Sequence, residues 1–201
     1  MNTQKDIKGY KITNQYGTYF ITCTIVGWVD FFTRRECAEI ILESLKYCEN
    51  NKGLIINAYV IMPSHMHLIV RAKENSDGLS AVIRDFKKHT SKKLIHWIET
   101  EKLESRADWL KVVFRYHAKH NKNSKNYQIW KQDNQPKELI HPKFTRQKLD
   151  YIHNNPVHAG FVRNPSEYVF SSAYDYENDE RGELKMELID FGSEVGYVYT
   201  V

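Results

Sequence analysis

Apolar and polar positions alternate between two periods along this chain. Residues 19–28, YFITCTIVGW, are a run of β-branched and aromatic side chains that reads as a buried strand. Over residues 33–50, Ile40, Ile41, Leu45 and Cys48 recur at helical spacing. Thr33, with Glu36 three residues on, matches a capping box at the start of that helix. After a turn at Lys52-Gly53, residues 54–62 (LIINAYVIM) and 65–71 (HMHLIVR) read as two further strands. Only Pro63 and Ser64 separate them, which predicts an antiparallel hairpin. A turn at 75–78 leads into a helix over 79–100. One side of it carries Val82, Ile83, Phe86, Thr90, Leu94 and Trp97, and the other Arg84, Lys87, Lys88, Lys92 and Lys93. Residues 101–126 are polar and poorly periodic, with a short element at 109–114. Residues 127–131 read as a fourth strand, and 144–154 as a helix that meets Pro156. Beyond it come an extended stretch from 160 and an aromatic one over 169–176.

Strand, helix, strand, strand, helix, strand is the order of the split βαβ, or ferredoxin-like, arrangement, an α+β class. It predicts an antiparallel sheet with helices on one face. The other face is then expected to stay open for a ligand.

Composition agrees with a folded domain: 41% of the 201 residues are hydrophobic and 13% aromatic, enough to fill a core. No apolar run approaches the ~18 residues of a membrane span. The polar N-terminus does not resemble a signal peptide, so a cytoplasmic protein is expected. Cys23, Cys37 and Cys48 are expected as reduced, buried thiols.

Charge adds a direction. The net charge is +4, but residues 175–201 hold eight acids and two bases, a balance of −6. Residues 1–174 therefore carry 27 bases and 17 acids, or +10. A basic body suggests a polyanionic partner, nucleic acid first, and equally fits a solvated surface with a solubilising tail. The expected organisation is a domain over 1–176 and an acidic tail over 177–201.

The sharpest chemical feature is His65-Met66-His67. On a strand, alternate side chains share a face, so the two imidazoles sit close enough to share one metal ion while Met66 points into the core. A catalytic metal needs at least one further ligand. The same spacing also suits two surface histidines on a half-exposed strand. The second feature is KLDYIHNNPVHAGFVR, residues 148–163. Tyr151 and Asn155, four apart on a helix, share a face, and His153 lies nearly opposite. Pro156 disfavours helical geometry at Asn155 and so places it at the helix terminus, with its amide free to turn toward a metal. A core tyrosine followed by an Asn-Pro helix stop is the alternative.

Together, IMPSHMHLIV and LDYIHNNPVHAGFV resemble the two signature blocks of the single-tyrosine HUH transposases, and within them the REP-associated tyrosine transposases of bacteria. YVFSSA at 168–173 and FKKHTS at 86–91 resemble further blocks of that branch. The resemblance spans residues 10–176. It implies an HUH endonuclease core, with His65 and His67 as the metal pair, Tyr151 as the nucleophile and Asn155 as a further polar ligand. Ser64 stands where Asn is usual and Tyr168 where Trp is usual, and neither position is a ligand or nucleophile.

The implied activity is DNA strand cleavage and transfer through a 5′-phosphotyrosine link, with Mg²⁺ or Mn²⁺ as cofactor. A phenol with a reference pKa near ~10 needs help to become a nucleophile, from the metal site, a water or a lysine such as Lys148. Expected partners are single-stranded DNA with hairpins or palindromic repeats, in the nucleoid. A homodimer is possible on this reading, because related enzymes include both swapped dimers and monomers. Arg84, Lys87, Lys88, Lys92, Lys93 and Lys148 are candidate phosphate contacts. Tyr116, Tyr127 and Trp130 are candidates for stacking on bases, or for the core. Two alternatives remain: a non-catalytic single-stranded nucleic-acid-binding module, and a metal-dependent hydrolase that uses water.

Overall fold

The computed structural model describes residues 11–101, 104–121, 126–178, 182 and 184–191. The N-terminal residues 1–10, and Asp179, Glu180, Arg181, Glu183 and Glu194 of the acidic stretch, lie outside them.

Four strands form one antiparallel sheet in the order β2-β3-β1-β4: β1 Tyr19–Thr24, β2 Leu54–Met62, β3 His65–Ala72 and β4 Lys137–Glu138. This is the predicted ferredoxin-like order. The Pro63-Ser64 hairpin joins β2 to β3 as expected, with Met62 opposite His65. The first predicted strand is shorter than its apolar run. After Thr24 the chain turns through Val26–Trp28, where Gly27 (φ 68°) and Trp28 (φ 55°) both take left-handed conformations.

Helices α1 (Arg35–Asn51) and α2 (Leu79–Thr100) cover one face. Tyr19, Ile21 and Cys23 of β1 meet Ile41, Leu45, Phe86 and Leu94 there. The capping box at Thr33 does not form: Arg34 precedes the first helical residue, and Thr33 Oγ1 donates to the Asp30 carbonyl. Helix α2 has its predicted ends. The three cysteines are free and buried, as expected.

The opposite face, expected open, is half covered. Helix α4 (Pro142–His158) lies on it, packing Leu149 and Ile152 onto Phe20, Ala58, Val60, Met62 and Ile69. Every residue of β2 is therefore buried. A continuous apolar strand such as LIINAYVIM is what cover on both faces requires.

Two further corrections concern the helices. The polar stretch before residue 121 contains a 13-residue helix, α3 (Ala107–Lys119), longer than the short element expected. Its fully buried residues are Leu110, Phe114 and Ala118, with Ala107 and Val113 partly buried beside them, a stripe too narrow to mark the period plainly. And α4 runs through Pro156 to His158, so Asn155 sits inside its last turn. The helix stops one turn later at Gly160 (φ 75°), where Gly160 N–H donates to Val157 O and Phe161 N–H to Pro156 O, a Schellman cap. A Cβ at Gly160 would meet nothing within 4 Å, so Gly160→Ala costs only its backbone strain. We expect about 1 kcal/mol, a fall of roughly 2–4 °C in melting temperature, readable by thermal circular dichroism.

The predicted fourth strand, 127–131, does not form a ladder strand: Trp130 makes an isolated bridge to Ile25, just past β1, while Lys131 N–H donates to Thr24 O and Val26 N–H to Ile129 O. Pro136 interrupts this edge, and the ladder forms as β4 beside Tyr19 and Phe20. At the other edge, Ile61 N–H donates to Phe170 O and Ser172 N–H to Tyr59 O. Further along, Glu187 N–H donates to Ile56 O and Arg71 pairs with Glu187 at 2.5 Å. Leu184 is buried in the main core, and Ile189 and Phe191 pack beside α4. The described part of the acidic stretch thus lies on the sheet edge. A short helix, α5 (Ala173–Asn178), precedes it.

Candidate active site

Sequence alternation builds the site. On β1, Tyr19, Ile21 and Cys23 face the α1–α2 core, so Phe20, Thr22 and Thr24 face the other way. The register sets Thr22 beside His67 and Thr24 beside His65. Met66, between the histidines, is fully buried in the core as predicted. His65 and His67 thus share the α4 side of the sheet, with ring centroids 4.8 Å apart.

Helix α4 brings Tyr151 over this pair. Leu149 and Ile152 pack against the sheet and leave Tyr151 at the boundary, 41% exposed. Its ring lies edge-on to His67 at 5.1 Å and to Phe20 at 5.9 Å. Phe20 also stacks on His67 at 5.2 Å, which fixes the imidazole plane. Asn155 and Lys148, one turn either side of Tyr151, line the same cleft of about 620 Å³. Histidines and tyrosine come from one chain.

His67 is 4% exposed. Its Nδ1 hydrogen-bonds Thr22 Oγ1 at 2.9 Å, while its buried Nε2 has no partner among the described residues. Donation from Nδ1–H to Thr22 leaves the Nε2 lone pair directed into the site. Burial, reinforced by the neighbouring His65 and Lys148, pushes the imidazole down to about 3. Burial lowers His65 as well, and its Nδ1 lies 3.3 Å from Ser64 Oγ. Both rings are held in the neutral form that binds metals. Two neutral imidazoles side by side on the wall of one cleft, one with an unpaired nitrogen, are a donor set that fits a divalent cation. No group of three His, Cys, Asp or Glu gathers among the described residues. A third protein ligand would be the Asn155 amide.

Lys148 Nζ lies 5.4 Å from the Tyr151 ring centroid and 5.2 Å from that of Phe20. Burial, then repulsion from Lys137, lowers its pKa. His153, on the far side of α4, meets Ser172 Oγ at 3.0 Å and is wholly buried, so it serves packing. Tyr168 donates its hydroxyl to Ile61 O, also a structural role.

The basic face of α2 divides. Arg84, Lys88 and Lys92 border a second groove, about 1000 Å³, between α2 and the segment 126–134. Arg84 also pairs with Asp85 at 3.0 Å. Lys93 turns away to Glu43 at 3.0 Å. Lys87 Nζ is committed to Lys131 O and Asn134 Oδ1, both at 2.5 Å, so its charge braces the loop instead of facing solvent. Trp130 is core: its indole N–H donates to Thr90. Tyr116 is exposed on α3, and Tyr127 accepts a hydrogen bond from Arg115.

Several cleft residues were not singled out from the sequence: Phe20, Thr22, Thr24, Trp28, Lys131 and Lys137. The alternation in YFITCT carried the signal for the first three. Trp28 was hidden at the end of an apolar run.

A single tyrosine facing a strand-borne histidine pair, on a ferredoxin-like sheet, is the arrangement that the resemblance of the sequence blocks implies. Residues 29–132 match the family model described as "Transposase IS200 like", and the chain belongs to that family. The matched stretch holds both histidines, and Tyr151 lies beyond it. A REP-associated tyrosine transposase of Escherichia coli (strain K12) is 29% identical over 119 residues, 58% of this chain and 53% of that protein. The chain thus spans about half the length of this curated relative. A solved REP-associated tyrosine transposase, bound to a REP hairpin, shares the fold at a TM-score of 0.58 and 22% identity. That match covers 94% of this chain and 99% of the other. Among the described residues, no helix is long and apolar enough to cross a membrane.

Proposed function

We propose that this chain is a metal-dependent transposase that cleaves and rejoins single-stranded DNA beside hairpins through a 5′-phosphotyrosine intermediate. One observation carries the reading: Tyr151, from α4, stands 5.1 Å from His67, whose buried Nε2 lacks a partner. An orphaned imidazole nitrogen also occurs at His153 in the core, but His67 shares its cleft with a second histidine and the tyrosine.

His65, His67 and Asn155 would hold Mg²⁺ or Mn²⁺. Bound there, the ion would polarise a non-bridging phosphate oxygen and offset charge developing on phosphorus. The chain's own residues do the rest. The Tyr151 oxygen bonds to phosphorus while the bond to the 3′ oxygen breaks. The phenolic proton leaves Tyr151, and the departing 3′ oxygen takes up a proton to become a hydroxyl. Lys148, with its Nζ 5.4 Å from the Tyr151 ring centroid, would contact the phosphate and favour the phenolate. Because the phosphotyrosine bond conserves the energy of the one cleaved, attack by a 3′-hydroxyl in reverse joins a strand without ATP. Leu149 and Ile152 pack α4 on the sheet so that Tyr151 meets the His67 of its own chain, the arrangement that action in cis requires.

The test is a denaturing gel of the purified chain with labelled single-stranded hairpin oligonucleotides. We expect an adduct that survives denaturation with Mn²⁺ or Mg²⁺ and is absent in EDTA. Metal-dependent cleavage without an adduct would instead indicate a hydrolase.

A further inference from the structure

Trp28 departs from the apolar run that contains it. It is 57% exposed, whereas Ile25 and Val26 before it and Val29 after it are buried. Its backbone is left-handed at φ 55°, directly after Gly27 at φ 68°. Bulky residues hold that conformation where their surroundings over-determine it, and such positions gather at binding sites. The indole meets His65 edge-on at 5.7 Å, on the rim of the cleft that holds Tyr151.

Lys131 completes the arrangement. Its Nζ lies 4.3 Å from the Trp28 ring centroid. Its backbone is fixed from both sides, its N–H donating to Thr24 O and its carbonyl accepting from Lys87. Lys131 also borders both the tyrosine cleft and the α2 groove with Arg84, Lys88 and Lys92. A largely exposed indole with an ammonium over its ring, between two basic grooves, has the chemistry of one nucleotide: a base to stack against the exposed part of the ring and a phosphate to pair.

We propose that Trp28 and Lys131 form a seat for one unpaired nucleotide of a DNA strand, the base on the indole and a phosphate on the ammonium. The seat sets which phosphate reaches Tyr151. It rests on the reading of this cleft as a DNA-processing site, and makes Trp28 a binding residue.

The test compares labelled oligothymidylate with an abasic deoxyribose-phosphate strand of equal length, by fluorescence anisotropy on the full chain in EDTA. The wild type should prefer the strand with bases by roughly five- to hundredfold. Trp28→Ala should cut that preference to about threefold or less while the abasic strand, still met by Lys131, binds within about threefold of wild type, a built-in check of folding. Trp28→Phe should keep most of the preference, and Lys131→Ala should weaken both strands alike. If Trp28→Ala fails to bind the abasic strand, Trp28→Leu, which keeps bulk without an aromatic face, takes its place with the same expectation. A preference that survives in these variants, or a wild type indifferent to bases, would overturn the seat. Cleavage is not needed for this measurement. A wild type with base preference but no covalent adduct would sink the strand-transfer reading and leave the seat standing. An adduct with unchanged preference in Trp28→Ala would overturn the seat alone.

Discussion

Tyr151→Phe is expected to form no covalent link to DNA, while its affinity for the same strand stays within about twofold of wild type. The substitution removes one oxygen atom and keeps the ring. The edge contacts to His67 and Phe20, at 5.1 and 5.9 Å, belong to that ring and survive. The side chain sits at the cleft boundary, so stability should move by less than about 0.5 kcal/mol. Strand cleavage should fall by at least about a thousandfold, because no other group takes the place of a lost nucleophile. Gel detection of the adduct, with anisotropy for binding, separates the two effects. An adduct in the variant would place the nucleophile elsewhere.

His67→Ala should fail differently. The imidazole is buried, stacked on Phe20 and hydrogen-bonded to Thr22, yet its Nε2 is unpaired. Saturating Mn²⁺, at about a hundred times the dissociation constant, should stabilise the wild type by about 2.7 kcal/mol. That corresponds to roughly 5–10 °C in melting temperature for a chain of this size. The variant should show no such shift. Its cleavage should drop by about a thousandfold, the equivalent of several kcal/mol of lost charge stabilisation. A wild type that Mn²⁺ and Mg²⁺ leave unshifted would remove the metal site, whatever the activity. An Asn155→Ala variant with a partial shift would assign the amide its share.

Much of this was legible in the chain. The hairpin at Pro63-Ser64 follows from two apolar runs and a two-residue gap, and the period of two put His65 and His67 on one face. The face that Tyr151 shares with Asn155 was also readable, since both line one cleft. That α4 would cross to the sheet's second face was implicit in the unbroken LIINAYVIM, a strand with no polar face to leave in water. Asn155 was misplaced because Pro156 suggests a stop, whereas a proline in the last turn loses little and Gly160 makes the cap. Helix α3 was obscured by its narrow buried stripe and exposed Trp109, Val112 and Tyr116. Lys87 reads as a surface cation on any helical wheel. Only the tertiary fold brings Lys131 and Asn134 to its ammonium. Trp28 was lost for the opposite reason: two left-handed residues turn an apolar side chain outward, and local composition gives no sign of it.

The most direct measurement is to locate the covalent bond. The wild-type chain is incubated with a single-stranded hairpin oligonucleotide and Mn²⁺, denatured, and digested with protease and nuclease. The linked peptide is then sequenced by tandem mass spectrometry. The account predicts one modified peptide, carrying a nucleotide joined through its 5′-phosphate to Tyr151. A bond to any other residue, or a link through a 3′-phosphate, would contradict it.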